Sequence, residues 1–470
     1  MCVCVGKYDS AMEGCTTQDN RRPGTVVLPY LLAALPFTWL TVAVIVYHLD
    51  FPYLDQWEFV PLLQKMYEGR LRPVDLWAQH NEHRLIFPRL LMLVMARLSN
   101  WNIGWELATN LVLGACLFVV LAWRIERTRS TAGRTELIWL LPIVSLFVFS
   151  MSQWENWFLG WQVQEFLNIL AVACGLLLLS SNAERMSAFR FAGACVAGIV
   201  ATYSFANGLL FWPIGMAVVL VGRNRGDGEG GRLLWCGLWA VVGLITAASY
   251  LYDYQTPSYH PSLVLPFNQP LDYLVYVLTY LGAPLSNFSV GGAAFTGGAG
   301  IVFLVALTTV LVRLRNGQAQ VWLPYVALAA YAVGSAAITG LGRVGFGAEQ
   351  AMSPRYITFS NMLWIANLVL AVVVFGDMRS TGRVFERCPE RSAKTAAATL
   401  AGVLVLLLLF CSAYGLYRWT ERYNYRLEAR QVLLDGTDTD MLSRIHPEPW
   451  KIIRRRPVLE KYRLSIFNPR

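Results

Sequence analysis

Residues 77–89 read WAQHNEHRLIFPR and set His80, Asn81, Glu82, His83 and Arg84 side by side, with Arg89 close behind. Two imidazoles around a carboxylate are the residue types of a metal site or a hydroxyl-binding pocket. The spacing is H-x-x-H with the glutamate between. It is not the H-E-x-x-H that sets two ligands on one helical face, so a metal would need a third ligand from Asp55, Glu58 or Glu155. That leaves a divalent cation open and no cofactor certain. In the competing reading Asn81 caps the helix that follows, and the histidines hydrogen-bond a ligand or Asp55. Upstream, YLDQWE places Asp55 and Glu58 three residues apart, on one face of a short helix. A carboxylate so placed can orient or deprotonate a hydroxyl.

Two further stretches carry comparable chemistry. SMSQWENWFLGWQVQEFLN holds Trp154, Glu155, Gln162, Gln164 and Glu165. Its tryptophans also read as an interfacial aromatic belt, but Glu165 and Asn168 fall inside an apolar run, where an ionisable group is costly and marks a function. GLGRVGFGAEQAMSPRYITFS supplies Arg343, Glu349, Arg355 and Tyr356. Arginine's planar fork suits a phosphate. Arg84, Arg89, Arg343 and Arg355 are the candidates, with Arg84 and Arg355 favoured.

The elements that must position these residues are membrane helices. The chain has 470 residues, 56% hydrophobic and 15% charged, with a mean hydropathy of +0.43; soluble domains carry about 25% charge. Spans are expected near 25–48, 103–123, 136–152, 160–180, 188–203, 208–222, 232–251, 298–314, 320–341, 355–376 and 395–417, an all-α polytopic bundle of about eleven helices. The first apolar run has no cleavage pattern and reads as an anchor. The net charge of +9 serves topology rather than nucleic acid. Arginines gather in alternate loops (Arg124, Arg127, Arg129 and Arg134; Arg185 and Arg190; Arg223, Arg225 and Arg232; Arg313 and Arg315; Arg379, Arg383, Arg387 and Arg391 with Lys394), whereas 153–159, 204–207 and 252–297 have no lysine or arginine. That asymmetry puts the polar stretches outside the cytoplasm. The organisation expected is a cytoplasmic leader over 1–24, a transmembrane domain over 25–417 with an external loop over 49–102, and a basic, extracytoplasmic tail over 418–470. In the loop, RLLMLVMARL puts Leu90, Leu91, Val94 and Leu98 on one stripe, as in an interfacial helix. Over 252–297, LDYLVYVLTYLGAPL reads as a second one, and His260 has no role. Cys2, Cys4, Cys15 and Cys388 fall on the cytoplasmic side and the other cysteines in spans, so no disulfide framework is implied.

The order of these elements resembles the GT-C membrane glycosyltransferases, and most closely the protein O-mannosyltransferases and aminoarabinose transferases. YLDQWE stands at that family's acidic first-loop motif, and residues 80–127 resemble its juxtamembrane helix and second span. ATYSFANGLLFWPIGMAVVLV resembles a broken helix pair with Ser204, Asn207 and Gly208 at the break, and SPRYITFS resembles the late Arg-Tyr element near the lipid phosphate. Gln56 stands where a second acid is common in the family, and tryptophans with Glu155 and Glu165 replace an Arg…Asp element. The resemblance implies a polyprenyl-phosphate sugar donor and a glycan, lipid or protein acceptor at the outer face of a bacterial plasma membrane. It implies an inverting transfer with Asp55 as base. Glu58 is the alternative carboxylate, and His80, Asn81, Glu82, His83, Arg84, Trp154, Glu155, Gln162, Glu165, Arg343, Arg355 and Tyr356 would contact substrate. A transporter or flippase, which should show polar residues near mid-bilayer in paired halves, and a non-catalytic envelope polysaccharide assembly protein are the other classes.

Overall fold

The computed structural model describes residues 24–180, 186–222, 228–257, 261–315, 318–380, 390–435 and 439–469. Most of the expected leader, Arg185, Arg223, Arg225, Arg383, Arg387, His260 and the cysteines at 2, 4, 15 and 388 lie outside the described residues. Apart from one small hairpin, the described chain is helical. The longer helices are α1 (Gly24–Tyr47), α2 (Ile86–Ser99), α3 (Ile103–Ala132), α4 (Leu141–Val148), α5 (Val163–Leu179), α6 (Ala188–Thr202), α7 (Phe211–Val221), α8 (Gly228–Leu251), α9 (Pro270–Gly282), α10 (Val290–Leu314), α11 (Ala319–Arg343), α12 (Ile357–Ser380), α13 (Glu390–Asp435) and α14 (Pro449–Tyr462).

Nine helical segments among the described residues are long and apolar enough to cross a membrane, which makes this an all-α polytopic membrane protein. The expected count was eleven. The difference lies in α6, with 15 residues, and α7, with 11. At 1.5 Å per residue they reach about 23 and 17 Å, short of a roughly 30 Å hydrocarbon core. The segments built around α5, α11 and α12 form the buried centre, while α1, α8, α10 and α13 turn most of their surface outward. Glycine sets the closest helix approach: a Cβ on Gly282 or Gly297 would strike the backbone of the facing helix, so α9 and α10 touch main chain to main chain.

Local sequence explains the ends that matter for the site. Asn102 caps α3, its side chain accepting from the Gly104 amide at 2.8 Å, and Asp50 accepts from the Ile103 amide at 2.8 Å. That fixes α3 against the chain leaving α1. Gly133 ends α3 in the left-handed conformation. On α2, Leu90, Val94 and Leu98 form an exposed stripe at four-residue spacing while Met92, Leu93, Met95 and Ala96 face inward.

The tail boundary expected at residue 417 falls inside α13, a continuous helix of 46 residues. Beyond it the chain folds back onto the first loop. The Leu54 amide donates to Ile445 O at 3.0 Å, the Ser465 amide donates to Asn100 O at 2.8 Å, and Tyr67 stacks on Tyr462 with ring centroids 5.0 Å apart. Arg426, on α13, is fully buried with its guanidinium 4.4 Å from the Tyr53 ring centre and 5.2 Å from that of Trp419. The tail and the first loop therefore share one end of the bundle.

Candidate functional site

The polar stretch that opened the sequence is a hairpin. Strands β1 (Gln79–His80) and β2 (His83–Arg84) pair antiparallel with Gln79 opposite Arg84 and His80 opposite His83. Asn81 takes a φ of +49° in the turn, a left-handed conformation that asparagine tolerates well. It caps no helix: α2 starts after Leu85 without a side-chain cap. The two imidazoles diverge. His80 meets Trp161 edge-on, with centroids 5.0 Å apart, whereas His83 stacks on Phe205 at 4.1 Å, and the Ala206 amide points at its Nδ1 from 3.1 Å. They do not close on a shared ion, and no group of three His, Cys, Asp or Glu among the described residues is placed to hold a metal.

Arg84 does not offer its fork to a ligand. It is buried, with Nε donating to Tyr250 O at 2.7 Å, Nη1 to Trp77 O at 3.0 Å and Nη2 to Tyr252 O. These bonds staple the hairpin to the end of α8, and Tyr250 returns one from its hydroxyl to Glu82 O at 2.7 Å. Arg89 is tied likewise to the carbonyls of Leu76, at 3.0 Å, and Ala78; burial brings it down to about 10. Glu82 pairs with Arg343. Burial pushes the Glu82 carboxyl up, but His83 and Arg343 outweigh it and hold the group at about 2.

The two first-loop carboxylates occupy one 3-10 turn, Leu54–Phe59, and part company there. Glu58 belongs to the tail: its carboxylate lies 2.6 Å from Lys451 Nζ, 2.9 Å from Arg455 Nη1 and 3.6 Å from His446 Nε2. Burial raises its pKa, but these hydrogen bonds and charges hold it well below the usual carboxylate range. Asp55 is half-buried, and its side chain has no hydrogen bond or ion pair to any described residue. Its charge is felt by His80 and by Arg355. Burial keeps the His80 imidazole below its ordinary value, against the pull of Asp55.

The other two stretches meet at the same end. Arg355 Nε is 3.9 Å from Glu155 and 3.2 Å from Ser353 Oγ, and the Arg355 carbonyl accepts from Asn156 Nδ2 at 3.1 Å. The Arg355 side chain keeps 36% of its surface accessible, with its guanidinium carbon 5.6 Å from the centre of the Tyr356 ring. Tyr356 stacks on Tyr280 at 4.9 Å and accepts from Gln350 Nε2 at 2.7 Å. Trp154, Trp157 and Trp161 are buried rather than arrayed outward as a belt: Trp154 packs on Trp419, Trp157 on Phe166 and Trp161 on His80 and Phe59. Gln162 Oε1 and Glu165 Oε2 are buried without a hydrogen-bond partner among the described residues, and Glu165 shares its field with Arg355, Glu155 and Arg343. Buried polar atoms left open in this way are the exception in native structures and call for a partner.

Two cavities flank the turn Pro354–Tyr356. One, of about 440 Å³, is lined by Trp154, Glu155, Glu349, Ser353, Arg418 and Arg422 among others. The other, of about 300 Å³, has Glu82, His83, Asn207, Arg343 and Tyr356 in its wall. Sequence reasoning missed the tail cations at Glu58, the two α13 arginines and a buried lock in which Glu106 accepts from Gln56 Nε2 at 2.6 Å and from Trp101 Nε1 at 2.8 Å. The basic run near Arg455 was the one visible signal of the first of these.

Comparison of the chain with protein-family models, with curated proteins and with solved structures finds no match.

Proposed function

We propose that the protein is an integral membrane glycosyltransferase that moves a sugar from a polyprenyl-phosphate donor to an acceptor hydroxyl at the outer membrane face. The observation that carries this reading is the contrast between its two first-loop carboxylates. Glu58 is consumed by tail cations, whereas the Asp55 carboxylate has no hydrogen-bond or ion-pair partner among the described residues, and its charge is felt by His80 and by a partly accessible Arg355. That is the arrangement of a base waiting for a hydroxyl beside a cation waiting for a phosphate.

The chemistry balances with these groups alone. The acceptor oxygen forms a bond to the anomeric carbon, the bond from that carbon to the phosphate oxygen breaks, and its electron pair leaves with the lipid phosphate. The acceptor proton passes to Asp55. A phosphate monoester leaves without help from an acid, so one carboxylate suffices and the anomeric centre inverts, as at the base of an inverting glycosidase. Arg355 balances the charge growing on phosphate. Arg418 and Arg422, in the wall of the larger cavity, add positive potential at its mouth.

In this reading α6 and α7 complete an eleven-helix bundle as a broken pair, α2 lies at the interface on its Leu90, Val94 and Leu98 stripe, and the site faces away from the cytoplasm of a bacterial cell. The test is transfer of a radiolabelled sugar from a polyprenyl-phosphate donor to endogenous acceptor by the protein in vesicles. Arg355→Ala should raise donor KM by about tenfold or more, the loss of one charge-assisted contact. No transfer from any lipid-linked donor would retire the proposal in favour of a transporter or an assembly factor.

A further inference from the structure

The larger cavity beside Pro354–Tyr356 meets the needs of a phosphate-bearing donor; the smaller one, on the other side of the same turn, has had no task. Its wall is two-sided. Leu209, Leu251, Leu263, Ile338 and Leu341 make an aliphatic half. Leu251, Leu263 and Ile338 also face outward, next to exposed Tyr252, Val264 and Phe267. A contiguous exposed apolar rim of this kind marks contact with lipid rather than water. The polar half holds the Glu82–Arg343 ion pair, Thr339 and Asn207. Asn207 is 3% exposed, and its Nδ2 has no hydrogen-bond partner among the described residues. A buried amide donor at a cavity wall is costly unless a ligand oxygen takes it.

We infer that this cavity is the acceptor site and that the acceptor is a membrane amphiphile with a hydroxylated, sugar-like head. The head lies against Asn207, Thr339 and the Glu82–Arg343 pair, and the chain runs out past Leu251, Leu263 and Ile338 into the bilayer. Naming the occupant an acceptor rests on the transferase reading; its binding does not. A peptide arriving from water would have no use for an aliphatic wall and an apolar rim. In the transfer, a hydroxyl oxygen of the head attacks the anomeric carbon and gives its proton to Asp55, while the donor phosphate leaves on the far side of Pro354–Tyr356.

The test uses the full chain in nanodiscs and a series of photoreactive alkyl β-glucosides of increasing chain length, each below its micellar concentration. Labelling should map to Tyr250, Leu251, Tyr254, Thr256 and Leu263 and to residues 338–343. Affinity should rise about fourfold per added methylene, the equivalent of roughly 0.8 kcal/mol each, until the aliphatic wall is covered. Asn207→Asp, which keeps the shape and removes the donor, should weaken glucoside binding by about tenfold. Ile338→Trp, a change at a partly exposed position, should block labelling by filling the cavity. The inference is overturned if free glucose or a Ser/Thr peptide competes as well as the long glucosides, if an alkyl phosphocholine labels the same residues equally, or if Ile338→Trp leaves labelling unchanged. Labelling that succeeds without any transferase activity upholds the site and retires the transferase. Asp55-dependent transfer without labelling retires the site alone.

Discussion

Glu58→Gln removes the anion that three tail groups share, and the structure sets the size of the effect. The Glu58 side chain is 22% accessible, with Lys451 at 18% and Arg455 at 17%. This is neither an exposed pair, worth about 0.2–1 kcal/mol, nor a sealed one, whose breakage costs about 3–5 kcal/mol. An intermediate loss of about 2 kcal/mol is expected, roughly 30-fold in the equilibrium between docked and undocked tail. Hydrogen exchange read by mass spectrometry reports it: amides of α14 should exchange about 30-fold faster in Glu58→Gln, while those in the middle of α3 keep their protection. The pH dependence follows from the depressed Glu58 pKa. A carboxyl whose folded pKa lies below its unfolded value of about 4.3 stabilises fully above that value. Tail protection in the wild type should therefore hold at neutral pH and fall as the pH drops below about 4, and the variant should lack this step. Unchanged exchange of α14 in Glu58→Gln would refute the account of the tail as a strap over the turn that carries Asp55.

Three further outcomes are expected. Cysteines introduced at Glu68 and Arg129 should label from opposite sides of the membrane; labelling from one side would undo the orientation. Gly282→Ala should lower the thermal midpoint, with a cost of about 1–3 kcal/mol, because the new methyl group meets the α10 backbone at Ala293 and only separation of the helices relieves it; an unshifted midpoint would mean that the helices are not in such close contact. Arg84→Lys should destabilise the protein by about 2 kcal/mol, since an ammonium cannot serve the Tyr250, Trp77 and Tyr252 carbonyls together, and donor KM should stay within about twofold; a large rise in KM would return Arg84 to the phosphate.

Much of the architecture was legible because hydropathy is a long-range signal. Each expected span coincides with a helical segment, and only α6 and α7 fall short: the chain breaks after Thr202 and resumes at Ala206, about where the sequence sets the break, and neither piece is long enough to cross alone. The site was legible as a set of stretches but not as a set of roles. Asn81 reads as a cap by type, and only pairing of His80 with His83 reveals a turn. Arg84 and Arg355 are indistinguishable in sequence: one meets three carbonyls because α8 ends against it, the other lies beside Glu155 and Ser353 with part of its side chain accessible. Trp154, Trp157 and Trp161 resemble a belt until α13 covers Trp154 and Phe158 from outside. The same long-range return of the tail separates Glu58 from Asp55, and nothing within the first loop foretells it.

The central claim rests on Asp55 and is tested by single-turnover transfer from a lipid-linked donor, with wild type, Asp55→Asn and Glu58→Gln compared at equal amounts of inserted, folded protein. The account predicts that Asp55→Asn keeps the wild-type melting profile and loses about 10²–10⁴-fold in rate, the usual contribution of a general base, whereas Glu58→Gln, with its loosened tail, loses far less. Near-normal turnover by Asp55→Asn, with or without collapse of Glu58→Gln, would contradict it.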